Sequence, residues 1–173
     1  MMVVVEEKKV DEESMKALLI LYLEQYCKKR SRKKVLQQRL RNFREEMVGT
    51  KAIRYSPIPH SCTNNITNEP LDFRIKCEEI EERIEKERKE AATAMLKVMD
   101  ILSFLEPESE EKNILEYKYL DGCSWKETMI RASMSRSRCN DYWKIGLEKL
   151  LQFAKVRKIL EDFGEELETR EHG

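Results

Sequence analysis

Between residues 11 and 48, apolar or aromatic side chains fall at Met15, Leu19, Tyr22 and Tyr26, and again at Leu36, Leu40, Phe43 and Met47. The steps inside each group are 4, 3 and 4, and the gap of ten between the groups preserves the same heptad register. Residues three and four apart share a helix face, so this spacing predicts one long helix with coiled-coil character. Its skipped seam positions are Lys29 and Lys33, and Gly49 is its predicted stop. From Asp72 to Leu105 the register is unbroken: Phe73, Cys77, Ile80, Ile84, Glu87, Ala91, Ala94, Val98, Ile101, Leu105. A second long helix is predicted there, with Glu87 as the lone charge in its seam. The intervening segment 49–71 holds three of the four prolines together with Asn64 and Asn65, the composition of a loop. Ordinary connections are shorter than its ~20 residues, so it is either functional or disordered. An antiparallel hairpin would set Glu87 against the region of Lys29 and Lys33. Parallel dimerisation through either seam is the rival arrangement.

The last third changes rhythm. Pro107 is placed to open a helix, with Ile114, Leu115, Tyr117, Tyr119 and Leu120 on its apolar side and Gly122 at its end. Ser124 followed by Glu127 three residues on is a capping-box signature for the next helix, and Ser135 opens another that runs through Leu150. The link of Ala132, Ser133 and Met134 has the length that a helix-turn-helix uses. In the second helix of this unit Cys139, Trp143, Leu147 and Leu150 form one stripe to be buried. Trp125 is expected to be core or half-buried. The opposite face carries Arg136, Ser137, Arg138, Asn140 and Lys144. Those residue types suit a major groove: Arg pairs with guanine, Asn with adenine, and Ser or Lys with phosphate or base. Arg131 and Lys126 fit phosphate contacts. Apolar periodicity persists through Leu151, Ala154, Ile159 and Phe163, and the acidic segment 164–173 is expected to fray.

Composition supports helices and bounds the function. Charged residues make up 38% of the 173, aromatics 8%, and glycine and proline are few. The net charge is zero, so only a local excess can argue for nucleic acid. From Cys123 to Lys158 nine Lys or Arg stand against three acids, a local balance of +6. The run Lys28-Lys29-Arg30-Ser31-Arg32-Lys33-Lys34 could hold a phosphate backbone, or pair with the acidic stretch from Glu78 to Glu90. Tyr55 to His60 could dock a partner or simply anchor the loop to the core through Tyr55 and Ile58. The five cysteines lack CxxC spacing, and His60 with Cys62 has no second close pair, so no metal site is expected. With two histidines and no glycine-rich phosphate loop, no enzyme and no cofactor are expected either. No signal peptide or membrane span is recognisable, which predicts a cytoplasmic protein.

The run from Pro107 to Leu150 resembles region 4 of the sigma-70 family. Its marks are Tyr119-Leu120-Asp121-Gly122, then Ser124-Trp125-Lys126-Glu127, then Ser135-Arg136-Ser137. Ser124, Glu127, Ser135, Cys139, Trp143 and Leu150 fall on the family's capping and core positions. Five positions depart from the pattern. Thr128 and Met129 stand where an aliphatic and an alanine are usual, and Ala132 and Ser133 replace a Leu-Gly turn. Asp141 adds a negative charge near the reading face. No counterpart of sigma region 2 lies upstream. The wider layout, with a Tyr-Cys-Lys-Lys-Arg helix and the loop motif Tyr55-Ser56-Pro57-Ile58-Pro59, resembles phage late-gene transcriptional regulators of the ArpU/RinA type. That resemblance implies promoter DNA as partner, with RNA polymerase or a homodimer adding affinity, in a bacterial host cell.

Together these readings predict an all-α chain. A helical hairpin, 11–105, with its loop at 49–71, would precede a helix-turn-helix domain, 106–163, and an acidic tail, 164–173. The predicted function is sequence-specific regulation of transcription. A small-terminase-like packaging protein and a helical adaptor that binds no DNA are the alternatives.

Overall fold

The computed structural model describes residues 2–52 and 69–171. Among them every regular element is α-helical: α1 (Met2–Ala52), α2 (Glu69–Leu102), α3 (Glu110–Tyr119), α4 (Trp125–Ala132), α5 (Arg136–Gln152) and α6 (Ala154–Glu171). The chain is all-α, as the hydrophobic periodicity predicts.

The first long helix overruns both of its predicted ends, and the second starts early. Nothing between Met2 and Val48 breaks a helix, so α1 starts nine residues earlier than expected. It also continues through Gly49 to Ala52, because no proline or strong cap follows that glycine at once. At the other side, Pro70 belongs to the first turn of α2 and not to the loop, a position where its missing N–H costs nothing. Residues 53–68, with Tyr55, Ile58, His60 and Cys62, lie outside the described residues, as does His172. The second helix ends at Leu102, three residues short of Leu105, and the chain turns through 103–108. Pro107 sits in that turn. Ser109 caps α3 instead, its hydroxyl accepting from the backbone N–H of Lys112 at 3.3 Å. This helix stops at Tyr119, and Gly122 follows in the left-handed region at φ 70°. The segment expected to fray is largely helical, since α6 runs to Glu171.

The chain divides into two compact units. One comprises residues 29–90 and holds the C-terminal half of α1 and the N-terminal part of α2. Here α1 and α2 run antiparallel, with Lys29 paired to Glu90, Arg44 paired to Glu81, and the rings of Phe43 and Phe73 5.0 Å apart. The seam is as predicted: Leu40 and Cys77 are buried, and Leu36, Phe43, Phe73, Ile80 and Ile84 are half-buried. The register differs in detail. Lys29 meets Glu90 rather than Glu87, whose Oε2 is buried without a hydrogen-bond partner. The hydrogen bond to Lys29 holds the Glu90 carboxyl below its ordinary range.

The other unit comprises residues 1–28 and 91–173. Its core joins Leu19, Tyr22 and Leu23 of α1 to Val98, Ile101 and Leu102 of α2. It continues into Leu115 and Tyr119 of α3, Leu147 and Leu150 of α5, and Val156 and Leu160 of α6. No break in this cluster falls at residues 105–106. Phe163 of α6 meets Tyr22 edge to face at 5.2 Å, so the C-terminal helix is fixed by the first one.

Candidate nucleic-acid interface

Helices α3, α4 and α5 pack mutually, and the last two form the helix-turn-helix. The entry of α4 is the predicted capping box. Ser124 Oγ accepts from the Glu127 backbone N–H at 3.3 Å, while the Ser124 N–H donates to Glu127 Oε2 at 2.7 Å. That backbone hydrogen bond holds the Glu127 carboxyl below its ordinary range. Thr128 is fully buried and satisfied, its hydroxyl donating to the Ser124 carbonyl at 2.9 Å. The glycine-free link also closes. Ser133 adopts the left-handed conformation, φ 53° and ψ 40°, and its N–H and that of Met134 return to α4 carbonyls. The turn therefore keeps the shape that glycine would have provided, at a steric cost.

Ser135 caps α5 by accepting from the Arg138 N–H at 3.3 Å. The buried side of α5 is the expected stripe: Cys139, Leu147 and Leu150 are buried and Trp143 is half-buried. Gly146, which periodicity alone does not single out, lies on the same side. A Cβ there would come within 2.8 Å of Leu115 Cδ1 and 3.2 Å of Glu111 Cβ. The missing side chain lets α5 pack closely on α3 there. Trp143 Nε1 donates to the Tyr119 hydroxyl at 3.1 Å, which orients the indole between α3 and α5. Burial pushes the Tyr119 phenol up to about 12.

The opposite side of α5 presents Arg136, Ser137, Arg138 and Lys144 to solvent, with Asn140 half-buried. Lys126 is exposed on α4. The arginines are ordered, and not in one way. Arg138 reaches the Tyr142 hydroxyl at 3.5 Å and lies over that ring, while Arg131 is held by an ion pair with Asp121 and lies over Tyr117. The ion pair draws Arg131 toward the protein's own carboxylate, leaving it less available to phosphate than Lys126. Arg136 stacks on Trp125, its guanidinium carbon 4.0 Å from the ring centroid. Trp125 in turn meets Trp143 edge to face at 6.1 Å.

Lys118 is a functional candidate that periodicity did not reveal. It ends α3, donates from Nζ to the Cys123 carbonyl at 3.0 Å, and lies 4.6 Å from the centroid of the same Trp125 ring. Burial, with Arg136 as the next cause, lowers the Lys118 ammonium from its ordinary value. The turn at residues 120–124 separates Lys118 from Trp125, and helical spacing cannot carry across a turn. The one clue in the sequence is a lysine at the C-terminal end of a helix immediately before a glycine turn.

Among the described residues no group of three His, Cys, Asp or Glu is placed to hold a metal ion, and no helix is long and apolar enough to cross a membrane. The chain matches no protein-family model, no curated protein and no solved structure.

Proposed function

We propose that the chain is a sequence-specific DNA-binding regulator of transcription, acting at a promoter in the manner of the phage late-gene activators it resembles. The observation that carries this reading is the first turn of α5. Arg136 and Arg138 occupy its first and third positions, where the helix dipole is positive and cations are disfavoured by about 0.3–1 kcal/mol each. No acid stands in that turn, and among the described residues no carboxylate lies within ion-pair distance of either arginine. A sequence selected for stability alone would place Asp or Glu there. A polyanion docked against the turn removes the penalty and gives the arginines their partners.

On this reading α5 enters the major groove. Ser137, Arg138, Asn140 and Lys144 face base edges along with Arg136, while Lys126 and Arg131 flank the backbone. A single helix of this kind reads few base pairs, so a homodimer or RNA polymerase supplies further affinity. Selection of bound duplexes from a random pool tests the proposal. A defined motif should emerge from the native protein, and Arg138→Ala with Asn140→Ala should lose it. Salt-independent retention, or a motif unchanged by the double variant, would sink the assignment.

A further inference from the structure

We propose that Lys118 and Arg136, seated together on Trp125, form a clamp for one phosphodiester of the DNA backbone beside the start of α5. The inference rests on the DNA-binding reading above and changes the role of one residue in it: Arg136 positions the helix and does not read a base.

Several cations of this chain that face another helix find carboxylates. Arg131 has Asp121, Lys149 has Glu111, Lys16 has Glu148, Lys29 has Glu90 and Arg44 has Glu81. With 33 acids matching 33 bases, that is the expected outcome for a cation near other helices. Lys118 and Arg136 share an aromatic ring instead. Both lie over one indole ring, at 4.6 and 4.0 Å, and among the described residues neither has a carboxylate at ion-pair distance. Lys118 spends one N–H on the Cys123 carbonyl, which leaves two donors unused. The Arg136 guanidinium donates no hydrogen bond among the described residues. Its stacking on Trp125 fixes the plane while leaving the N–H edge open.

Two cations held this close repel, and Arg136 is one cause of the depressed Lys118 ammonium. The arrangement is tolerable because the electron-rich ring of Trp125 attracts both. It becomes favourable when a single anion reaches both. The backbone supplies two more donors, since the N–H groups of Arg136 and Ser137 head α5 with no intrahelical acceptor. A guanidinium fork, an ammonium and free amides are the donor set for a tetrahedral oxyanion. An arginine whose plane is held against an indole is also poorly placed to swing into the groove for a guanine edge.

The test is a methylphosphonate scan. Each phosphate of a bound duplex is replaced in turn by an uncharged linkage, and affinity is read by fluorescence anisotropy for the native protein, Lys118→Met, Arg136→Met and Arg136→Lys. The expected result is one linkage whose neutralisation weakens the native protein several-fold and leaves the two Met variants almost unaffected. Each Met variant should lower the slope of log affinity against log salt by about one, uniformly across specific and unrelated duplexes. Arg136→Lys should retain most of the slope. Circular dichroism of each variant separates a lost contact from a lost fold. Binding that survives with no linkage coupled to Lys118 or Arg136 overturns the clamp and leaves DNA binding standing. So does a changed base preference in Arg136→Met. Failure of the native protein to bind any unmodified duplex overturns the DNA-binding reading itself.

Discussion

At the scale of single residues, the turn of the helix-turn-helix carries a cost in plain view. Ser133 sits at φ 53° without glycine's freedom, and a β-carbon in the left-handed region costs roughly 1–2 kcal/mol. Ser133→Gly should therefore stabilise the protein, by about 0.5–1 kcal/mol once the extra freedom of the unfolded chain is offset. A rise of a few degrees in the thermal midpoint checks this, and a fall would show that the serine side chain matters in a way its geometry does not reveal. Tyr119 gives a pH-dependent counterpart. Its phenol titrates at the ordinary 10.0 when unfolded and at about 12 when folded, because burial disfavours the phenolate. A raised folded value contributes stability that is complete below pH 10 and is lost as pH climbs from 10 toward about 12. The loss is on the order of 2 kcal/mol. Denaturant midpoints measured across that window should fall, and Tyr119→Phe should flatten the fall. At neutral pH the same variant should cost about 1 kcal/mol for the hydrogen bond from Trp143.

At the scale of helices, the two interior glycines of the second unit behave oppositely although both break the same propensity rule. Replacing an interior helix glycine by alanine is worth about 1 kcal/mol in propensity alone. At Gly146 the new methyl meets Leu115, itself fully buried and unable to move aside, so overpacking of ~1–3 kcal/mol should win and Gly146→Ala should destabilise. At Gly164 the nearest atom is Leu18 Cδ1 at 3.6 Å, an ordinary contact, so Gly164→Ala should stabilise. Opposite shifts of the thermal midpoint in the two variants are expected, and shifts of the same sign would contradict the close crossing of α3 and α5. This contrast shows what the sequence makes legible. Heptad seams and serine caps can be read because each depends on residues a few positions apart on one helix. The caps Ser124 and Ser135 and the seam from Phe73 to Ile101 all stand where the sequence put them. Gly146, Ser133 and the shared ring of Trp125 could not be read that way. Each is set by what lies across a turn or on a neighbouring helix. The end of α6 escaped for a related reason: its acidic composition suggests fraying, but Phe163 packing on Tyr22 ties the helix to a residue far away in the chain.

At the scale of the molecule, the two compact units differ in what holds them. Among the described residues of 29–90 only Leu40 and Cys77 are buried, and the rest of the seam is half-exposed and assisted by ion pairs at the surface, which contribute at most about 1 kcal/mol each. The unit of 1–28 and 91–173 has thirteen buried residues in one apolar cluster, and three of them, Leu19, Tyr22 and Leu23, come from the far end of the sequence. The helix-turn-helix is thus not a separable piece beginning after Leu105. Its α3 and α5 rest on Val98, Ile101 and Leu102, and those rest on α1. Each fully buried leucine or isoleucine lost from such a cluster costs about 2–5 kcal/mol, so removing a whole wall exceeds the stability of an ordinary domain. A fragment spanning residues 106–173 should therefore show reduced helicity and a broad, weakly cooperative melt, while the full chain melts sharply. Hydrogen exchange on the full chain makes the complementary measurement. Backbone amides of residues 29–47 and 71–90 should open at lower free energy than those of α5 and of residues 98–102, because local opening there exposes less apolar surface. A fragment 106–173 that melts cooperatively with full helicity would mean that the wall contributed by α1 and α2 is dispensable. Helix α5 would then owe its position to α3 and α4 alone.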